Sequence, residues 1–122
     1  MEGIVVLIVD DNVCNLSILI RRLSKVGFTV ISATNGRDAV KKCIEQMPDI
    51  ILMDIRMPVM NGVEAAEILK NDPLTANIPI IGCSAHLGKV SEEEKYKVFN
   101  STILKPVSAA ALTEQLTEIM AA

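Results

Sequence analysis

Five short apolar runs punctuate the chain: Ile4 to Val9, Phe28 to Ala33, Ile50 to Met53, Ile78 to Cys83 and Thr102 to Leu104. They are rich in β-branched residues and near-continuous in hydrophobicity, without the period of two that a half-exposed strand shows. Strands of this kind are covered on both faces, as in a parallel sheet, and parallel strands need crossover helices between them.

The intervening segments have helical period. Leu16, Leu19, Ile20 and Leu23 share one face, with Gly27 as a stop; Val40, Cys43, Ile44 and Met47 repeat the pattern, closed by Pro48. A third helix is predicted from about Gly62 to Lys70, ended by Asn71, Asp72 and Pro73. Ser91, with Glu94 three residues later, is a capping-box signal for a fourth, highly charged helix. Ser108 can cap a fifth, whose apolar stripe is Leu112, Leu116, Ile119 and Met120. Five βα units imply an α/β fold, a doubly wound five-stranded parallel sheet with the flavodoxin-like strand order 2-1-3-4-5 and five helices. No linker or repeat interrupts the 122 residues, and one domain is expected over 1–122.

Composition removes several classes of function. Half the residues are hydrophobic and 22% are charged, which excludes disorder, and no apolar run is long enough for membrane insertion. Ile4 to Val9 runs straight into Asp10 and Asp11 and is no signal-peptide core. A net charge of −3 offers no general attraction to nucleic acid, so the expected partner is a protein. Cys14, Cys43 and Cys83 are odd in number and widely spaced, and His86 is the sole histidine. That pattern argues against a disulfide framework or a zinc site and fits a reducing cytoplasm. Each cysteine adjoins apolar residues and is expected to be a small buried hydrophobe.

In a sheet of this order, ligands bind at the carboxyl ends of strands 1 and 3, where the winding reverses. The sequence puts Asp10 and Asp11 at the first of these ends and Asp54 at the second. The doublet is equally suited to capping the first helix or to ligation; Asp54, breaking abruptly from Ile50, Ile51, Leu52 and Met53, has less reason to be structural. Three neighbouring carboxylates repel one another, and a hard, oxygen-seeking cation such as Mg²⁺ resolves the repulsion. Ser84 and Lys105, at the ends of the fourth and fifth strands, are expected at the same edge.

Asp10-Asp11-Asn12, Met53-Asp54-Ile55-Arg56-Met57-Pro58 followed by Met60-Asn61-Gly62, Ser84-Ala85 and Lys105-Pro106 occur in an order and spacing that resemble the response-regulator receiver family, over essentially the whole chain. The resemblance implies that Asp54 is the phosphoacceptor, taking a phosphoryl group from a histidine kinase, a histidine phosphotransfer protein or a small phosphodonor. It implies that Asp11, Asp54 and the Arg56 backbone carbonyl ligate Mg²⁺, with Asp10 acting through a bound water. Lys105 would pair with the phosphoryl group, Ser84 would hydrogen-bond it, and the Lys105–Pro106 peptide would be cis. Such a protein is a signalling phosphoacceptor rather than an enzyme, although it assists its own phosphorylation and dephosphorylation. Its switched surface acts on a downstream protein or a fused domain. The residues two past the phosphoacceptor and two past the hydroxyl, Arg56 and His86, influence phosphoryl lifetime in the family, and both are bulky.

Two positions depart from the family pattern. Thr102 stands where many members carry an aromatic residue, and Phe99-Asn100-Ser101 lacks the small Ala-Gly often found there. Output is therefore expected to run through Ser84 and the 85–90 loop, to which Gly88 gives freedom, rather than through an aromatic rotamer. A receiver-like interaction module working without phosphorylation is the alternative, but it should lack an acid or the lysine, and all are present. A flavin carrier needs a hydroxyl- or glycine-rich first loop and aromatics; here the loop is acidic and only Phe28, Tyr96 and Phe99 are aromatic. No Gly-x-Ser-x-Gly occurs, which excludes a serine hydrolase.

Overall fold

The computed structural model describes residues 3–57, 60–84 and 97–121. Strands β1 (Val5–Val9), β2 (Thr29–Ala33), β3 (Ile50–Asp54), β4 (Ile80–Ser84) and β5 (Ser101–Leu104) form one sheet in the order β2-β1-β3-β4-β5. Every neighbouring pair is parallel. This is the order expected from the run of apolar segments, with β1 beside β3 where the winding reverses. The described helices are α1 (Val13–Lys25), α2 (Gly36–Gln46), α3 (Gly62–Asn71) and α4 (Ala109–Ala121). The helix predicted from Ser91 and Glu94 lies outside the described residues, as do Pro58, Ala85, His86 and Gly88. Among the described residues no helix is long and apolar enough to cross a membrane.

The strands lack alternation because both faces are covered, and the period of two reappears as a sorting between them. Leu7, Val9, Ile51 and Met53 pack with Ala39, Cys43, Ala66 and Leu69 of α2 and α3. Their neighbours Val6, Ile8, Ile50 and Leu52 pack on the other face with Leu16, Leu19, Leu23 and Leu116 of α1 and α4. Full burial of each such aliphatic side chain contributes about 1.5–3 kcal/mol.

Side-chain caps fix where the helices begin. Asn12, Asn35 and Asn61 each accept a backbone N–H three residues on, and Glu64 returns a contact to the Asn61 N–H in a reciprocal capping box. Ser108 Oγ accepts the Ala111 N–H at 3.0 Å, the cap expected for the last helix.

Two sequence expectations are corrected. On α2 the inner face is formed by Gly36, Ala39 and Cys43, while Ile44 and Met47 are exposed. Small side chains let this helix close against its neighbours, so the buried stripe follows size rather than hydrophobicity. Met47 is past the helix end, in the left-handed region at φ 47°. Cys43 and Cys83 are buried, but Cys14 is exposed. It precedes Leu16 by two residues, about 200° around the helix from the buried stripe.

Candidate functional site

The register of the central strands assembles the site. Val9 is paired with Met53, so the residues that follow, Asp10 and Asp54, emerge side by side at the carboxyl edge. Both are buried, at 3% and 6% exposure, whereas Asp11 is exposed. The choice between capping and ligation resolves in favour of neither acid as cap. Asn12 accepts the Asn15 N–H at 3.0 Å, and Asp10 Oδ1 accepts the N–H of Asn12 at 2.9 Å. Asp10 thus orients the capping residue and turns inward. One carboxylate oxygen from each of Asp10, Asp11 and Asp54 lies within 4.8 Å of the others.

Lys105 reaches the same point from β5. Its backbone N–H donates to the Ser84 carbonyl at 2.9 Å, carrying the β4–β5 pairing one residue beyond Leu104, and the Lys105–Pro106 peptide is cis. Its Nζ lies 3.1 Å from Asp54 Oδ1 and 3.6 Å from Asp10 Oδ2. Ser84 is the buried last residue of β4. Arg56 is exposed, and its backbone N–H donates to the Asp54 carboxylate.

Gly62 holds the end of β3 in place. Its N–H donates to the Ile55 carbonyl at 2.9 Å, and a Cβ here would stand 2.3 Å from the Asp54 carbonyl oxygen. Only glycine lets the start of α3 approach the acid's own backbone this closely. The sequence marked Gly62 as a helix start; its neighbour Asp54 gives that glycine its reason.

Burial raises the Asp54 pKa, and the charge of Asp10 adds to the rise; Lys105 and the Arg56 N–H oppose it without cancelling it. Burial alone would lower Lys105, but the charge and hydrogen bond of Asp54, with Asp10 behind them, hold it above its ordinary value. Lys105 is therefore a fixed cation. Three carboxylates facing one ammonium leave two negative charges uncompensated, in a pocket whose donors are oxygens. Cys83 lies nearby, but burial pushes its thiol far up, so it offers no thiolate. The donor set fits a hard divalent cation such as Mg²⁺, which takes oxygen ligands and keeps several waters.

A cavity of about 320 Å³ adjoins the cluster between α1 and residues 105–107. Sequence reading missed it. Its trace in the sequence is the spacing of Asn15, Ile18, Leu19 and Arg22, four residues of one helical face.

The model of the response regulator receiver domain family matches residues 6–117. The chemotaxis protein CheY of Thermotoga maritima is 42% identical over 117 residues, covering 93% of this chain and 95% of that protein. The polar-differentiation response regulator DivK of Brucella anthropi is 33% identical over 112 residues, 91% of each chain. Among solved structures, the receiver domain of a sensor histidine kinase from Pseudomonas aeruginosa superposes with a TM-score of 0.90 at 28% identity, covering 99% of this chain and 100% of that one. That structure holds a magnesium ion coordinated in its active-site cleft.

Proposed function

The chain belongs to the response regulator receiver domain family, and from that premise we propose that it is a Mg²⁺-dependent phosphoacceptor modified on Asp54. A carboxylate oxygen of Asp54 attacks the phosphorus of a phosphohistidine, on a histidine kinase or histidine phosphotransfer protein, or of a small phosphodonor. The donor's bond to phosphorus breaks with its electron pair on the leaving atom, and Asp54 becomes an acyl phosphate. Lys105 pairs with the phosphoryl oxygens, and the Ser84 hydroxyl donates to one of them. Asp11, Asp54 and the Arg56 carbonyl would hold Mg²⁺, with Asp10 acting through water. When bound, Mg²⁺ neutralises the excess negative charge of the acids and the phosphoryl group. The rest is positioning and charge stabilisation by groups already in place, which together account for most of the catalysis in phosphoryl transfer.

The new dianion displaces the Lys105–Asp54 pairing and biases the surface offered to a downstream protein or fused domain, in a cytoplasmic setting. The observation that carries this reading is Asp54 itself, a buried acid 3.1 Å from Lys105 and within 4.8 Å of two other carboxylates. Mass spectrometry after incubation with acetyl phosphate and Mg²⁺ tests it. Labelling is expected in the wild type, absent in Asp54→Asn, and greatly reduced in Asp11→Ala or without Mg²⁺. Undiminished labelling of Asp54→Asn would overturn the assignment. An unlabelled wild type would leave a phosphorylation-independent interaction module.

A further inference from the structure

The cavity beside the acids has a polarity of its own. Its floor is apolar, formed by Ile8, Leu52, Cys83 and Val107, each at most 4% exposed. Its rim on α1 follows the spacing of Asn15, Ile18 and Arg22, so the cleft runs along the helix for about 10 Å. At about 320 Å³ it stands at the small end of the range of ligand sites, roughly 300–1,000 Å³.

The two ends differ in charge. Asp10, Asp54 and Lys105 border one end, and there the lysine is already engaged at 3.1 and 3.6 Å. Arg22 borders the cleft in the last turn of α1 and has no carboxylate partner among the described residues. An anionic group at the acidic end would be repelled. At the Arg22 end it would stand about 10 Å farther along the helix, where that repulsion is weaker and the guanidinium is the nearer charge. A guanidinium matches a carboxylate in two parallel hydrogen bonds. Ile18, 45% exposed on the rim, supplies apolar surface that an occupant would cover.

We propose that this cleft binds a small amphiphilic carboxylate, with its apolar body between Ile18 and Pro106, both exposed, and its single anionic group on Arg22. The occupant would lie beside Asp54, which lines the same cavity, and would narrow the approach to it from the α1 side. The binding test needs no phosphorylation, so the proposal stands or falls separately from the Asp54 assignment.

Octanoate is the probe, titrated into the ¹⁵N-labelled protein with Mg²⁺ at constant ionic strength. Saturable amide shifts are expected in residues 15–22 and at Lys105 and Val107. Arg22→Ala should weaken binding about tenfold or more, the scale of one charge-assisted hydrogen bond. Arg21→Ala, whose side chain is not part of the cleft, should leave it unchanged. Octanol, with the same tail and no charge, should bind as weakly to the wild type as octanoate does to Arg22→Ala. Cys83→Leu, which fills the floor, should abolish binding; should it fail to fold, the Arg22 and octanol arms still decide. Absence of saturable shifts in these segments, or equal affinity in Arg22→Ala, would overturn the proposal.

Discussion

On the α2 and α3 side of the sheet, Cys43, Ala65, Ala66 and Leu69 are fully buried, and a Cβ on Gly82 would meet the Phe99 ring at 2.9 Å and Ile55 Cδ1 at 3.2 Å. On the α1 and α4 side, packed from alternate residues of the same strands, a cavity of about 320 Å³ reaches Asp10 and Asp54. Close packing on one side holds the backbone beneath Asp54 still, through Gly62 and Ile55. Incomplete packing on the other leaves space beside its side chain. A reactive carboxylate needs both: a support that resists displacement and a side from which something can come near.

The largest expected difference between the faces is in the cost of a deleted leucine. Leu69→Ala should lose about 4 kcal/mol, while Leu19→Ala, at the edge of existing empty space, should lose about 2 kcal/mol. Urea denaturation measures both, and equal losses would break the contrast.

A smaller effect probes the closed face by overfilling it. Gly82→Ala should cost about 2 kcal/mol, because its methyl group meets the Phe99 ring. In a double-mutant cycle with Phe99→Leu, a large part of that cost should vanish. Additive costs would mean that the ring is not what constrains Gly82.

The smallest effects concern the thiols. With a small alkylating reagent at pH 8, exposed Cys14 should react first, and Cys43 and Cys83, both buried and with their thiols pushed up, should react far more slowly. Labelling of either buried thiol as fast as Cys14 would show that its face of the sheet opens in solution. Burial, with the charge of Asp72 adding to it, pushes Cys43 from its ordinary 9.0 to about 11. The folded state therefore keeps a proton that the unfolded chain releases, and stability should fall as pH rises from about 9 to about 11. Cys43→Ala should show a shallower fall over that window.

The sheet order and the acidic edge were both legible before folding was considered. Apolar runs of strand length, each ending in a polar residue, constrain Asp10, Asp54, Ser84 and Lys105 to one end whatever the details of packing. The start of α1 was not legible, since Asp10, Asp11 and Asn12 are all competent caps and the inward turn of Asp10 is what selects Asn12. The Asn61–Glu64 capping box carried a readable spacing that the sequence reading passed over. On α2, apolar periodicity favoured Ile44 and Met47, and the small residues Gly36 and Ala39 won the inner face because they permit closer approach.

Strand length, side-chain period and the point where a charged residue interrupts an apolar run are local properties, so the chain's order alone set the fold class and the chemistry of the carboxyl edge. Distances between remote segments are not local. The 3.1 Å contact of Lys105 with Asp54, the glycine contacts beneath β3 and β4, and the cavity between α1 and residues 105–107 emerge from how helices settle on the sheet. Packing decides them because many side chains satisfy the same hydrophobic pattern, and shape complementarity in three dimensions chooses which of them touch and where a gap remains.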